Sequence, residues 1–218
     1  MLPCFEKVSY ADRDRENPVL MVQRSRLVLA VGDQRHRWHP GLLHTRLEAG
    51  WSHPLVRAMA LEPGHRVLDC SLGLGIDAQF MAHLTGRTVW AVEASAAVAM
   101  MTAEGLGRVG ADIQVVHGEA EAFMRTLPDN CVDVVQGDPM FPPGTGVTPS
   151  LAGLRAAAHH APLGAGWVGQ ALRVARHRVV VRDVEPGQLL EEMRAPEVLR
   201  VGRGRPRYGV WRVILEKP

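Results

Sequence analysis

The strongest constraint on the fold is a regular alternation of short apolar runs and helical segments between residues 66 and 137. This pattern predicts strands at 66–70, 88–92, 113–117 and 132–137 and helices at 76–84, 96–107 and 119–127. Gly86, Gly110 and Pro128 interrupt the series between elements. Because strands that are joined through helices run in the same direction, the alternation predicts a parallel sheet with helices on both faces.

Further elements flank this series. After it, the pattern predicts a helix at 167–175, a strand at 177–182, a helix at 187–193 and two last strands at about 197–201 and 208–215. Before it, apolar runs at 19–22 and 27–31 predict a hairpin, and residues 55–61 predict a short helix. The last two strands are expected to pair antiparallel. The expected fold is α/β: a Rossmann-like, doubly wound, mostly parallel seven-stranded sheet with an antiparallel edge strand.

The length and composition fit a single domain of this kind. A chain of 218 residues holds one α/β domain with a small addition. We predict an N-terminal extension on the substrate side at residues 1–53 and the main domain at 54–218. No apolar run reaches the length needed to cross a membrane, and no apolar signal core follows Met1, so we expect a cytoplasmic protein.

The cysteines and the charge exclude other classes. Cys4, Cys70 and Cys131 show no C-x-x-C spacing, so neither a disulfide framework nor a metal site is predicted. The net charge of +2 and the pI near 8.6 are too mild to indicate nucleic-acid binding by themselves. Arginines nevertheless cluster at 24–46 and at 200–207. A bias toward arginine codons explains these clusters, and a phosphate-binding surface is the alternative.

A glycine loop follows the first strand of the series. Gly73, Gly75 and Ala78 match G-x-G-x-x-A, which a nicotinamide dinucleotide site would also show. Asp69 at the strand end would repel a pyrophosphate, but it would attract the cationic amino group of a methionine-type cofactor. We therefore predict a cofactor loop with the following contacts: Asp69, Ser71, Leu72, Gly73 and Gly75.

Three more carboxylates belong to the predicted cofactor site: Glu93, Asp77 and, after the strand at 132–137, Asp138. Glu93 ends the next strand, where it would accept hydrogen bonds from a ribose diol. Asp77 lies in the first turn of the following helix, either as a ligand contact or as a carboxylate favoured by the helix dipole. Glu93 suits either cofactor, so Asp69 and the motif after the strand at 132–137 decide between them. Both favour S-adenosylmethionine.

That motif is Asp138-Pro139-Met140-Phe141. The Asp138 carboxylate can accept one N–H bond from a planar amine, and Pro139 has no backbone N–H to compete. The ring of Phe141 can stack on a base. The motif is thus suited to an exocyclic amine whose lone pair faces an electrophile, although Asp-Pro is also an ordinary turn at the end of a strand.

With these residues in view, the chain resembles the class I S-adenosylmethionine-dependent methyltransferases. More narrowly, it resembles a bacterial group that includes the small-subunit ribosomal RNA guanine-N2 methyltransferases. The segments that carry the resemblance are 67–78, 138–142, 178–182 and, more weakly, 39–47. Both ends of the chain lie outside it.

The resemblance implies further site residues. Glu119 lies in the region that resembles the adenine-binding turn, although it could equally be a carboxylate at a helix start. Met140, His39, Arg46 and Arg182 are candidate substrate contacts, with structural roles as the alternative for His39 and Arg46. Arg182 stands where the family usually has lysine, and the two cations are not equivalent.

The resulting hypothesis is an N-methyltransferase that acts on an exocyclic amino group of a nucleic-acid base, with RNA as the substrate and guanine N2 of ribosomal RNA as one candidate target. Asp138 and the backbone near Pro139 would orient the amine, and Phe141 would stack the base. A small-molecule or DNA amino methyltransferase, an NAD(P)-dependent oxidoreductase and a non-catalytic binding module are the alternatives. The sequence does not specify the oligomeric state.

Overall fold

The computed structural model describes residues 18–139, 157, 163–184, 188–201 and 206–214. Its strands are β1 (Val19–Gln23), β2 (Arg26–Val31), β3 (Gln34–Arg37), β4 (Val67–Asp69), β5 (Val89–Glu93), β6 (Ile113–His117), β7 (Val132–Gly137), β8 (Ala175–Val184), β9 (Glu197–Arg200) and β10 (Pro206–Arg212). Its helices are α1 (Leu43–Ala49), α2 (Pro54–Met59), α3 (Ile76–Thr85), α4 (Ala96–Arg108), α5 (Ala120–Thr126), α6 (Ala165–Val174) and α7 (Leu189–Glu192).

Seven strands form the central sheet in the order β6-β5-β4-β7-β8-β10-β9. In this order, each pair of neighbours among the first five strands, β6, β5, β4, β7 and β8, is parallel. Strand β10 pairs antiparallel with both β8 and β9. The predicted fold class is confirmed, including the antiparallel pairing of the last two strands. The reversed strand itself lies second from the edge, because β10 inserts between β8 and β9.

Helices cover both faces of this sheet. Successive side chains of each central strand point alternately into two apolar cores, one on each face. Val134 and Val180 pack into the core beneath α2 and α3, while Val135 and Val181 pack into the core beneath α5 and α6. All four side chains are fully buried. Each contributes about 1.5–3 kcal/mol of hydrophobic stabilisation, which explains why these strands are continuous apolar runs.

The parallel strands end at one edge of the sheet. Asp69 pairs in register with Gln136, one residue before the end of β7, and Glu93 pairs with His117 at the end of β6. Asp138 directly follows β7. The carboxylates that the sequence predicts at strand ends therefore face the same crevice, where open α/β sheets bind ligands.

The extension forms a separate antiparallel sheet in the order β1-β2-β3. The predicted hairpin is confirmed, and Arg24 and Ser25 form its two-residue turn with φ of 50° and 60°. Strand β3 and helix α1 were not predicted. The segment Gln34–Arg37 carries no apolar residue, so it lacks the alternation that marks a strand.

The extension packs on the glycine loop and on α4. The Trp38 indole N–H donates to the Leu74 carbonyl at 3.0 Å, and its ring lies where Gly105 leaves room, since a Cβ there would be 2.1 Å from the indole. Gly41 approaches Ile76 just as closely, at 2.3 Å from such a Cβ. The division of the chain at residue 53 stays a prediction.

No helix within the described ranges is long and apolar enough to cross a membrane.

Candidate functional site

A cavity of about 240 Å³ lies at the carboxyl edge of the sheet. The turn after β4, the end of β5, the start of α5, the end of β7 and the start of α6 surround it. Six residues that the sequence predicts for the site line this cavity together: Ser71, Gly73, Glu93, Glu119, Asp138 and Pro139.

Glu93 links two of the loops around the cavity. One carboxylate oxygen accepts the Gly73 N–H at 3.0 Å, and the other accepts the Ser95 N–H at 2.9 Å. Burial raises the pKa of Glu93, and these backbone hydrogen bonds oppose that rise. The carboxylate thus has a fixed position on the cavity wall, and its remaining lone pairs can accept hydroxyl groups.

Asp69 is a buried carboxyl that pairs with no cation within the described part of the chain. Its side chain is 1% exposed, and Oδ1 accepts the Ser71 N–H at 3.0 Å. The other oxygen, Oδ2, has no hydrogen-bond partner among the described residues. Burial raises the pKa of Asp69 to about 8, with further rises from Asp77, Asp138 and Glu93. Because an unpaired buried carboxylate is costly, this position fits a cofactor that brings an ammonium group.

The glycine loop owes its shape to backbone conformations that favour glycine. Gly73 and Gly75 have φ of +52° and +70°. The Gly73 carbonyl accepts the Thr102 hydroxyl at 2.7 Å, so α4 holds the loop from behind. Leu72 is buried, and neither it nor Gly75 is among the described residues that line the cavity. Contacts of these two residues with a cofactor stay predictions.

Asp138 is fixed by its backbone and by one side-chain oxygen. Its N–H donates to the Ser71 hydroxyl at 2.5 Å, and its Oδ2 lies 2.8 Å from Nη2 of Arg182. The other oxygen, Oδ1, is buried without a hydrogen-bond partner in the described part of the chain. Burial raises the pKa of Asp138 to about 6, although the Arg182 guanidinium lowers it. One oxygen is therefore held, and the other is available to an N–H donor.

Arg46 and Asp77 continue this ion pair away from the cavity. Asp77 lies 2.7 Å from Nη1 of Arg46 through Oδ1 and 3.7 Å from Nη1 of Arg182 through Oδ2. Neither residue is among the described residues that line the cavity. The structure thus places the predicted contacts Arg46, Asp77 and Arg182 in one group with Asp138.

Sequence reasoning missed two members of this group. Tyr208 pairs with Arg182 between β10 and β8, and burial raises its pKa to about 12. The pKa of His53 is lowered by burial and by Arg46. No sequence signal identifies Tyr208, because its position depends on the antiparallel register of β10. His53 precedes Pro54 as the residue that caps α2, so it could have been found as a helix start but not as a neighbour of Arg46.

The remaining predicted residues lie elsewhere. His39 lines a second cavity of about 350 Å³, beside Arg35, Arg37, Trp38 and Leu74. Met140 and Phe141 lie outside the described residues. Within the described ranges, no group of three or more histidine, cysteine, aspartate or glutamate side chains could hold a metal ion.

Known proteins resemble this chain over most of its length. Residues 5–211 match the model of a family described as "Putative SAM-dependent methyltransferase". The uncharacterised protein YpiP of Bacillus subtilis (strain 168) is 32% identical over 194 residues, which cover 82% of this chain and 76% of that protein. Ribosomal RNA small subunit methyltransferase J of Laribacter hongkongensis is 33% identical over 189 residues, 82% of this chain and 58% of that enzyme.

The crystal structure of a SAM-dependent methyltransferase from Neisseria gonorrhoeae superposes with a TM-score of 0.70, covering 95% of this chain and 87% of that one. At 20% identity this likeness shows the shared fold. The family match decides between the two cofactors that the glycine pattern left open, and it confirms the resemblance inferred from the motifs. The chain belongs to the S-adenosylmethionine-dependent methyltransferase family and is an enzyme that uses this cofactor.

Proposed function

We propose that this methyltransferase acts on an exocyclic amino group of an RNA base, with guanine N2 of small-subunit ribosomal RNA as the first candidate. The observation that carries the proposal is the asymmetric environment of Asp138. Arg182 holds Oδ2 at 2.8 Å, while Oδ1 has no hydrogen-bond partner among the described residues. An ionised carboxyl oxygen in this position accepts a hydrogen bond from an amino group and not from a carbonyl oxygen.

Asp138 would orient the amine for transfer. Its Oδ1 accepts one N–H, and the neighbouring Pro139 offers no competing N–H donor. The amine lone pair would then face the cavity. Phe141, outside the described residues, is expected to stack on the base, which must leave its helix if it is paired. Catalysis would rest on positioning and electrostatics.

Residues that line the cavity, together with the buried Asp69 behind the glycine loop, would hold the cofactor around this amine. Bound S-adenosylmethionine supplies a methyl group on a sulfonium centre. Glu93 would accept the ribose hydroxyls, and Asp69 would pair with the ammonium group. Ser71 and Gly73 would pass close to the cofactor, and Glu119 would lie beside its adenine. As the N–CH3 bond forms, the C–S bond of the cofactor would break with its electron pair left on sulfur. The proton that the nitrogen gives up would pass to Oδ1 of Asp138, which accepts that N–H, and from there to water.

The extension supports RNA as the substrate class. Arg35 and Arg37 line the second cavity, beside the Trp38 ring and next to the glycine loop. Their guanidinium groups donate to the carbonyls of Gly32 and Gln34 and to the Gln23 side chain. Neither forms an ion pair with a carboxylate within the described residues, so both can take phosphates as counter-ions. The relative from Laribacter hongkongensis is named as a ribosomal RNA methyltransferase.

Replacement of Asp138 by alanine tests the proposed amine site, the position at which Oδ1 of Asp138 would accept the N–H of the substrate amine. We expect Asp138→Ala to lower the transfer rate by about 10²-fold or more, the cost of one positioned polar group. Cofactor affinity, measured by calorimetry, should change little. Asp112→Ala is the matched control, because Asp112 precedes β6 at the opposite edge of the sheet and is exposed. Turnover of Asp138→Ala equal to that of the control, on RNA that the parent enzyme methylates, would refute the role of Asp138.

A further inference from the structure

Four charged side chains connect the extension to the amine site. Arg46 of α1 pairs with Asp77 of α3 at 2.7 Å, Asp77 lies 3.7 Å from Arg182 of β8, and Arg182 pairs with Asp138 at 2.8 Å. Their side chains are only 11–23% exposed. The charges of these four side chains alternate in sign, and they sum to zero when both carboxyls are ionised.

We propose that Arg46 is a positioning residue for methyl transfer: by neutralising Asp77, it leaves Arg182 available to hold Asp138 ionised, with Oδ1 directed to the amine. The proposal rests on the proposed role of Asp138. It assigns to the extension a part of the catalytic apparatus, since α1 lies in the segment that precedes the main domain.

Asp77 and Asp138 compete for the guanidinium of Arg182. Among the described residues, Arg182 has two carboxylates within 4.0 Å, and it is closer to Asp138 than to Asp77. Arg46 lies closer to Asp77 than Arg182 does, by 2.7 Å against 3.7 Å. Without Arg46, one guanidinium would serve two buried carboxylates. Arg182 would be drawn toward Asp77, and the Asp138 carboxyl would take up a proton at a higher pH because it would face an uncompensated negative charge.

The charges that act on Asp138 come from several elements, and the directions of their effects agree with this competition. Arg182 and Arg46 lower the pKa of Asp138, while burial and Asp77 raise it. Further titratable groups among the described residues are Asp69 at the end of β4 and Tyr208 on β10, which interact with Asp138, and His53 before α2, which interacts with Arg46, Asp77 and Arg182. The pKa of Arg182 is raised, because Asp138 and Asp77 outweigh the effect of its burial.

The direction of the pH dependence follows from the protonation state in which Asp138 can accept the amine N–H. Asp138 accepts the amine N–H as a carboxylate, so the transfer rate falls as the pH drops through its pKa, which is raised to about 6 in the protein without cofactor. Loss of a cation raises this pKa further. The fall of the transfer rate on the acid side of the pH profile, here called the acid limb, therefore moves to higher pH. Loss of Asp77 as well removes the extra negative charge and moves the limb back.

The experiment measures the single-turnover transfer rate against pH with saturating cofactor and RNA. We expect Arg46→Gln to move the midpoint of the acid limb upward by roughly one unit, the lower end of the range for a nearby charge. Arg182→Gln should move it further, and Arg182→Lys should recover part of that shift. The double variant Arg46→Gln/Asp77→Asn should return the midpoint toward the parent value, because it removes both partners of a pair.

Controls separate this effect from loss of structure. Arg57→Gln, an exposed arginine on α2, should leave the midpoint unchanged, and the melting temperature of each variant reports on folding. If Arg46→Gln lowers the rate equally at every pH, or if the double variant leaves the midpoint shifted, the positioning role is wrong. If Asp138→Ala keeps full turnover, the amine site itself fails, which is a different outcome from a normal Asp138 effect with no shift in Arg46→Gln.

Discussion

At the scale of single residues, Gly73 decides whether the loop after β4 can lie against a ligand. Its φ of +52° is in the left-handed region, and its N–H is held by the Glu93 carboxylate on the cavity wall. A branched side chain would strain this conformation and occupy cavity space. We expect Gly73→Val to weaken S-adenosylmethionine binding by more than about tenfold, or ~1.4 kcal/mol, in calorimetry.

Gly169→Val serves as the control for this substitution. Gly169 is exposed on α6, and a Cβ at this position would meet no atom within 4 Å. The control should bind the cofactor as the parent protein does. If Gly73→Val also bound it with the parent affinity, the cofactor would lie elsewhere.

The residues that sequence reasoning found are those whose positions follow from a strand end. Asp69, Glu93 and Asp138 end or follow β4, β5 and β7, and parallel strands end at the same edge. Tyr208 and His53 could not be found in this way. Tyr208 reaches Arg182 only through the register between β10 and β8, and His53 reaches Arg46 only through the path of the chain before α2.

At the scale of elements, the buried Arg207 connects β10 to β8 and α7 through ion pairs. Arg207 is 4% exposed and contacts the equally buried Asp183 of β8 at 2.7 Å and Glu191 of α7 at 2.6 Å. Removing one partner of a buried pair leaves an uncompensated charge. We expect Arg207→Ala to lower the free energy of unfolding by about 3–5 kcal/mol in denaturant titrations.

Arg212 provides a matched control on the same strand. Its side chain is 62% exposed and pairs with Glu197 of β9 at 2.8 Å. Since exposed pairs contribute about 0–1 kcal/mol, Arg212→Ala should have a small effect. Equal effects of the two substitutions would show that the Arg207 pair does not anchor β10.

Prediction of elements succeeded where the apolar pattern was regular. Strands β6 and β7 begin and end at the predicted residues, because every residue of β7 is buried and because Gly110 and Pro128 interrupt the chain before the two strands. It failed for β3, whose four residues are all polar or charged, and for α1, which follows Pro40 and Gly41 without a predicted apolar face. Strand β3 exists because β2 offers a neighbouring strand, and no local signal reports that contact.

At the scale of the whole molecule, the extension lies beside the glycine loop and carries Arg35 and Arg37, which pair with no carboxylate in the described part of the chain. If Arg35 and Arg37 contact phosphates, each contact releases counter-ions. We expect Arg35→Gln/Arg37→Gln to weaken binding of small-subunit ribosomal RNA and to reduce the slope of log affinity against log salt by about 0.7–0.9 per lost contact. Cofactor affinity should not change.

The double variant Arg57→Gln/Arg87→Gln controls for net charge, because both arginines are exposed and lie outside the strands of the extension. Its salt dependence should match that of the parent protein. An RNA affinity independent of salt, or the same loss in both double variants, would exclude a specific phosphate surface on the extension.

The enzyme is proposed to methylate an exocyclic amine of an RNA base. The identity of the methylated product tests this activity directly. Small-subunit ribosomal RNA, total DNA and free small amines are each incubated with methyl-labelled S-adenosylmethionine, and the nucleosides are then separated by mass spectrometry. We predict label on an exocyclic nitrogen of an RNA base, with N2-methylguanosine expected first, and labelling that is slower by about 10²-fold or more with Asp138→Ala. Label on a ring carbon or a ribose oxygen, or preferential methylation of DNA or of a free amine, would contradict the account.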